Sequence, residues 1–247
     1  MKTYRSNAII VGVLYILGTV TGILSVVFTN SVTNDPDFLA AVLANQNQVI
    51  VGTLFILAMG ISLALIPAVL FPVAKKVNEV LAVGYVVFRG ALETVAYLAM
   101  VVCWLLIVSL SRGAAAGSIP SSSQNLGVVL QQVNDAIGLI LIIAFSLGAL
   151  MLYSLLYQSK LVPRWISIWG FIAILMHLST SFLGMFGLVS TSLSGGTTSG
   201  LTLILNFPIF LQEMVMAVWL IVKGFDSSAI TDVTTEITTS ESQLSPA

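Results

Sequence analysis

Four side chains in this sequence could carry chemistry where chemistry is costly: Arg89, Glu93, His177 and Glu213, each embedded in a long apolar run. Arg89 and Glu93 are spaced i,i+4 within LAVGYVVFRGALETVAYLAMVVCWLLIVSL, residues 81–110. A guanidinium and a carboxylate at that spacing share a helical face and can meet side by side. In hydrocarbon such groups are expensive, so they turn inward, find partners and by default mark a site for a solute, an ion or a proton. Tyr85, Tyr97 and Met100 continue the same stripe. In the fifth run Gly170, Ala173, His177, Thr180, Ser181 and Gly184 share a face, and in the last run Asn206 stands two turns from Glu213 on one face.

Depth ties these residues together. At about 1.5 Å per residue, Arg89 lies roughly 15 Å, His177 roughly 18 Å and Glu93 roughly 20 Å from the inner boundary, with Glu213 near the middle as well. Interior-facing groups at one level of a closed bundle converge, so the expected site is Arg89, Glu93, Glu213 and His177, with Tyr97 and Asn206 beside them. Two carboxylates against one guanidinium leave a proton or a cation to be accounted for: a proton held on one glutamate, a protonated His177, or a ligand. The other reading is that the same residues are interhelical glue, fixing the third helix against the sixth. Asp135 and Gln131 share a face of the fourth run, about 10 Å from the outer boundary, and read equally as a solvated helix end or as a separate outer-side polar site.

The elements that must position these residues follow from composition. Hydrophobic residues make up 57% of 247 and charged residues 8%, a balance no soluble domain of this size could bury. Six runs of about 20 or more apolar residues read as membrane spans: 8–28, 49–72, 80–110, 128–157, 165–190 and 200–222. The runs are apolar on all sides, which excludes the alternation of barrel strands. The expected fold is therefore all-α, a polytopic bundle of six transmembrane helices over residues 1–225. A Ser/Thr-rich tail, 226–247, is too polar to order itself. Lys2, Arg5, Lys75, Lys76, Lys160, Arg164 and Lys223 fall on one side of these spans and Arg112 on the other, which puts both termini in the cytoplasm.

Within the spans, Gly18 and Gly22 form a small-residue packing seam, Gly60 and Ala64 a second, and Pro67 should kink the second helix. The segment DFLAAVLANQNQ, from Asp37, reads either as a short interfacial helix or as an outward extension of the second span. The single cysteine, Cys103, permits no intramolecular disulfide and reads as a small buried hydrophobe. Enzyme chemistry has little support. There is no HExxH, no nucleotide-binding loop, no recognisable Ser/His motif and no lysine in an apolar span to carry a Schiff base. Metal ligation by His177, Glu93 and Glu213 has only a weak spacing signal, so neither cofactor nor catalytic residue is expected. No exposed basic face suits nucleic acid. The partners expected are the lipid bilayer and a small solute or proton; nothing in the sequence names a protein partner.

Three stretches carry a resemblance: GYVVFRGALE in the third span, the turn SKLVPRWISIWG, and LQEMVMAVWLIVKGF in the last span. Together they resemble the domain-of-unknown-function 4386 family of bacterial multi-pass membrane proteins, over nearly all the chain up to about Phe225. The resemblance implies a six-helix bundle in the plasma membrane and no assigned activity. Its first and last stretches contain Arg89, Glu93 and Glu213, whereas His177 lies in none of them.

Overall fold

The protein is described by a computed structural model covering residues 2–33, 35–118, 124–189 and 200–226, and the Ser/Thr-rich tail beyond Asp226 lies outside it. All regular structure among these residues is helical. In chain order the helices are α1 (Lys2–Thr33), α2 (Phe38–Ala44), α3 (Gln46–Val77), α4 (Glu79–Tyr85), a π-helical segment (Val86–Leu92), α5 (Glu93–Ala115), α6 (Gln124–Ser159), α7 (Arg164–Met185) and α8 (Gly200–Val222). Six stretches are long and apolar enough to cross a membrane: Tyr4–Thr33, Gln46–Val77, Glu79–Ala115, Asn125–Ser159, Arg164–Met185 and Gly200–Val222. The third of these is α4, the π segment and α5 end to end. The chain is a multi-pass membrane protein.

Local chemistry sets the breaks. The Asn78 side chain accepts from the Leu81 amide and starts α4 immediately after α3. Asp37 accepts from the Ala40 amide and starts α2, so the segment after the Asp-Pro turn is a separate short helix, with Phe38 packed on Trp104 at 6.5 Å. Helix α3 runs unbroken through Pro67 and Pro72. Helix α6 begins at Gln124, four residues ahead of the span boundary expected from hydropathy, because the polar stretch QNLG is already helical.

The six spans close into a ring in chain order. Each packs on the next, from α1 on α3 round to α7 on α8, and α8 returns to α1. At that closing seam a Cβ on Gly12 would stand 2.6 Å from the Ala217 carbonyl oxygen, so only glycine allows the approach. Arg5 fastens the same seam by donating to the Ile221 and Val222 carbonyls at the end of α8. Leucines, valines and isoleucines such as Val95, Leu98, Leu203 and Ile204 cover the outside of the ring, as a lipid-facing surface requires. In a ring of six the third and sixth spans stand opposite each other, and among the described residues their backbones make no close approach. Whatever links them must cross the middle as side chains.

Candidate functional site

What crosses the middle is the Arg89 network. Arg89 Nη1 donates to both carboxylate oxygens of Glu93, at 3.2 and 3.1 Å, and Nη2 donates to Glu213 Oε1 at 3.4 Å. The Arg89–Glu93 pair is buried and the Arg89–Glu213 pair partly so, with side-chain exposures of 3% for Arg89, 1% for Glu93 and 16% for Glu213. Glu213 is thus the carboxylate a small species could reach with the least rearrangement. The guanidinium stacks on the Phe145 ring at 4.4 Å and lies over Tyr15 at 5.8 Å, contacts that favour a planar cation over an ammonium. Its Nε has no hydrogen-bond partner among the described residues.

The backbone beneath Arg89 is what lets it reach the centre. In an α-helix each i,i+4 step overshoots a full turn by about 40°, so Tyr85, Arg89 and Glu93 would drift off one line. The π segment widens these turns, and the Glu93 amide donates to the Phe88 carbonyl five residues back. Tyr85, Arg89, Glu93, Tyr97 and Met100 consequently all stay buried. Two neighbours hold the widened turn. A Cβ on Gly148 of α6 would lie 3.1 Å from the Arg89 amide nitrogen, and one on Gly90 would lie 3.3 Å from Pro67 Cγ. Thr94 returns a hydrogen bond to the Gly90 carbonyl at 2.6 Å. Periodicity placed the stripe correctly but gave no sign of the π segment.

Four tyrosines, Tyr15, Tyr85, Tyr97 and Tyr153, complete the centre. Tyr97 stands one turn on from Glu93 in α5 and is buried with it. Tyr15 of the first span and Tyr85 of the third bring their hydroxyls within 3.5 Å of each other, although their helices do not pack together. Tyr153 of α6 donates to Gln212 Oε1 at 2.7 Å, while Gln212 Nε2 donates to the Ile166 carbonyl at 3.1 Å. Tyr15, Tyr153, Phe145 and Gln212 were not singled out from the sequence as site residues. The signal that could have found the two tyrosines and Gln212 is hydrogen-bonding capacity at mid-span depth, which apolar composition masks.

His177 and Asn206 form a neighbouring group. Their Nδ1 and Oδ1 atoms lie 2.8 Å apart, and Thr180 donates to the same oxygen at 2.9 Å. Because a carbonyl oxygen only accepts, this contact puts a proton on Nδ1. His177 does not touch the ion pairs; it meets Phe145 edge-on at 5.3 Å, and Phe145 in turn lies under Arg89. The expected four-residue convergence is therefore a three-residue ion network with the imidazole one ring away. Asp135 and Gln131 lie elsewhere. Gln131 donates to the Thr33 carbonyl at the far end of α1, and Asp135, half-buried, is 13 residues before Gly148, about 20 Å along α6. Among the described residues no group of three or more His, Cys, Asp and Glu is placed to hold a metal ion.

Comparison with curated proteins and with solved structures finds no match. The family model described as domain of unknown function DUF4386 matches residues 10–224, a stretch that takes in all six spans and every member of the Arg89 network. The chain belongs to this DUF4386 family of proteins of unknown function.

Proposed function

We propose that the protein binds or translocates a small solute or ion at the cross-ring cluster of Arg89, Glu93 and Glu213, with a proton or a small cation as the species that balances the second carboxylate. The observation that carries this reading is the position of the Arg89–Glu213 pair. It joins two spans whose backbones do not pack together, so it can open and close without unpacking any helix seam. A centre crossed only by side chains is a suitable place for a binding step that exchanges one ion-pair partner for another. The proposal includes a plasma-membrane location with both termini cytoplasmic. The basic residues Arg5, Lys75, Lys76, Lys160, Arg164 and Lys223 support this, since all lie at the end of the bundle where α1 starts and α8 finishes.

The alternative is interhelical glue, favoured by the closure of Arg89 Nη1 on both oxygens of Glu93, which leaves Nη2 to tie the third span to Glu213 of the sixth. The variant Glu213→Gln separates the two. It removes the surplus charge, keeps an oxygen that accepts from Arg89, and leaves the Arg89–Glu93 pair intact. Thermal unfolding of purified wild-type protein should shift upward with sodium or potassium chloride relative to choline chloride. The shift should grow as pH rises, because protons compete for the same carboxylate, and it should vanish in Glu213→Gln. An equal response to all three salts, together with a pH dependence of unfolding that Glu213→Gln leaves unchanged, would sink the binding reading for cation and proton alike and leave glue.

A further inference from the structure

The α6–α7 turn and the end of α8 enclose an open pocket of about 560 Å³ at the end of the bundle where α1 starts and α8 finishes. Its lining includes Lys160, Arg164 and Lys223 against one carboxylate, Asp226, and the indole of Trp219. We propose that this pocket binds the phosphate group of an anionic phospholipid headgroup. Lysine supplies a point charge and arginine a planar fork, a pairing suited to phosphate oxygens, while the aliphatic stems and Trp219 suit the glycerol and the first acyl carbons.

Three observations support a built site. First, Lys160 holds a left-handed backbone with φ 56°, whereas every other described residue with positive φ is glycine. A position at a helix end where glycine would be free of strain keeps a long cationic side chain instead. Second, the walls are tied together. The Asp226 amide donates to the Leu161 carbonyl at 3.0 Å, and Gly224, with φ 76°, allows the chain to turn so closely that a Cβ there would lie 2.7 Å from the Arg5 guanidinium. Third, the pocket lies beside an indole cluster in which Trp165 stacks on Trp169 at 6.2 Å and meets Trp219 edge-on at 6.5 Å. Indoles of this kind mark headgroup depth, and basic pockets between spans are recognised by anionic headgroups.

The test uses full-length protein in nanodiscs of phosphatidylcholine, with and without phosphatidylglycerol, read by thermal unfolding. Phosphatidylglycerol should raise the midpoint of the wild type by several degrees. The rise should fall to less than half in Lys160→Asn/Lys223→Gln, where asparagine keeps the left-handed backbone, and fall measurably in Lys223→Gln alone, an exposed site that does not endanger folding. Lys75→Gln, which removes a charge at the same end but outside the pocket, should respond as the wild type does. The proposal is overturned if the pocket variants keep the full response, if Lys75→Gln loses as much of it, or if inorganic phosphate in phosphatidylcholine nanodiscs gives the same rise, which would make free phosphate the ligand.

Discussion

The mid-depth hydroxyls of the α1–α3 seam and the polar groups of the ring centre are satisfied in different ways, although toward the ends of the seam Asn7 donates across it to the Val69 carbonyl and Gln48 to the Phe28 carbonyl. Along the seam Thr21 donates to the Leu17 and Gly18 carbonyls, Ser25 to Gly22, Thr29 to Ser25 and Thr53 to Val49, each within its own helix. Glycines do the packing there: a Cβ on Gly18 would strike Leu63, and one on Gly22 the Met59 sulfur. At the centre the bonds run between helices, from Arg89 to Glu213, Tyr153 to Gln212 and Tyr15 to Tyr85. Seam hydroxyls thus carry their partners with them wherever their helix goes. Apart from the Arg89–Glu93 pair, which lies within one span, the central bonds need two helices in one arrangement, so they are where folding and any conformational step are coupled.

That contrast breaks most visibly at Arg89. Arg89→Leu leaves Glu93 and Glu213 buried without a cation, and losing one partner of a buried ion pair costs about 3–5 kcal/mol. Folded protein should be recovered poorly and unfold many degrees lower. Removing only Arg89 and Glu93 does not avoid the orphan, since Glu213 also bonds Arg89. The triple variant Arg89→Leu/Glu93→Leu/Glu213→Leu should recover most of the loss, because replacing a whole buried ion network by apolar residues is often neutral or better. If the triple variant is as unstable as the single one, lost packing and not orphaned charge is the cause.

A middle-sized effect belongs to Tyr153→Phe. It strands Gln212 Oε1, which is fully buried, and an unsatisfied buried acceptor costs about 1–3 kcal/mol. Gly148→Ala should cost a similar amount, about 1–3 kcal/mol, by pressing a methyl onto the Arg89 backbone. The two should differ in the salt response of the wild type. Gly148→Ala displaces the π segment and should weaken it, while Tyr153→Phe should leave it in place.

Span number, helical class and the pairing of Arg89 with Glu93 were legible in the sequence because each depends on one run of residues: apolar length for the spans, i,i+4 spacing for the pair. Glu213 was legible for a weaker reason, shared depth, and the ring satisfied that inference by placing its helix opposite the third span. His177 shows where depth fails. It lies on the expected helix at the expected level, yet Phe145 fills the space between it and Arg89, and no spacing rule reports which side chain of a third helix intervenes. The π segment was hidden for a related reason. Val86–Leu92 has an ordinary helical sequence, and the widened turn answers to Gly148 and Pro67, contributed by other helices.

The smallest expected change is the one that defines the seam. Ser25→Ala removes a hydroxyl bonded at 2.7 Å to the Gly22 carbonyl of its own helix. A carbonyl inside a helix already receives the backbone amide four residues on, so losing the hydroxyl leaves no orphan. The cost should be no more than about 0.5 kcal/mol, in the range of polar contacts between membrane helices or below it. Thermal unfolding beside Tyr153→Phe, in the same lipid, measures the ratio directly. A Ser25→Ala loss as large as that of Tyr153→Phe would mean that the hydroxyl organises the α1–α3 contact across the seam, and the distinction between self-satisfied and cross-ring polar groups would then fail at the place where the geometry draws it most clearly.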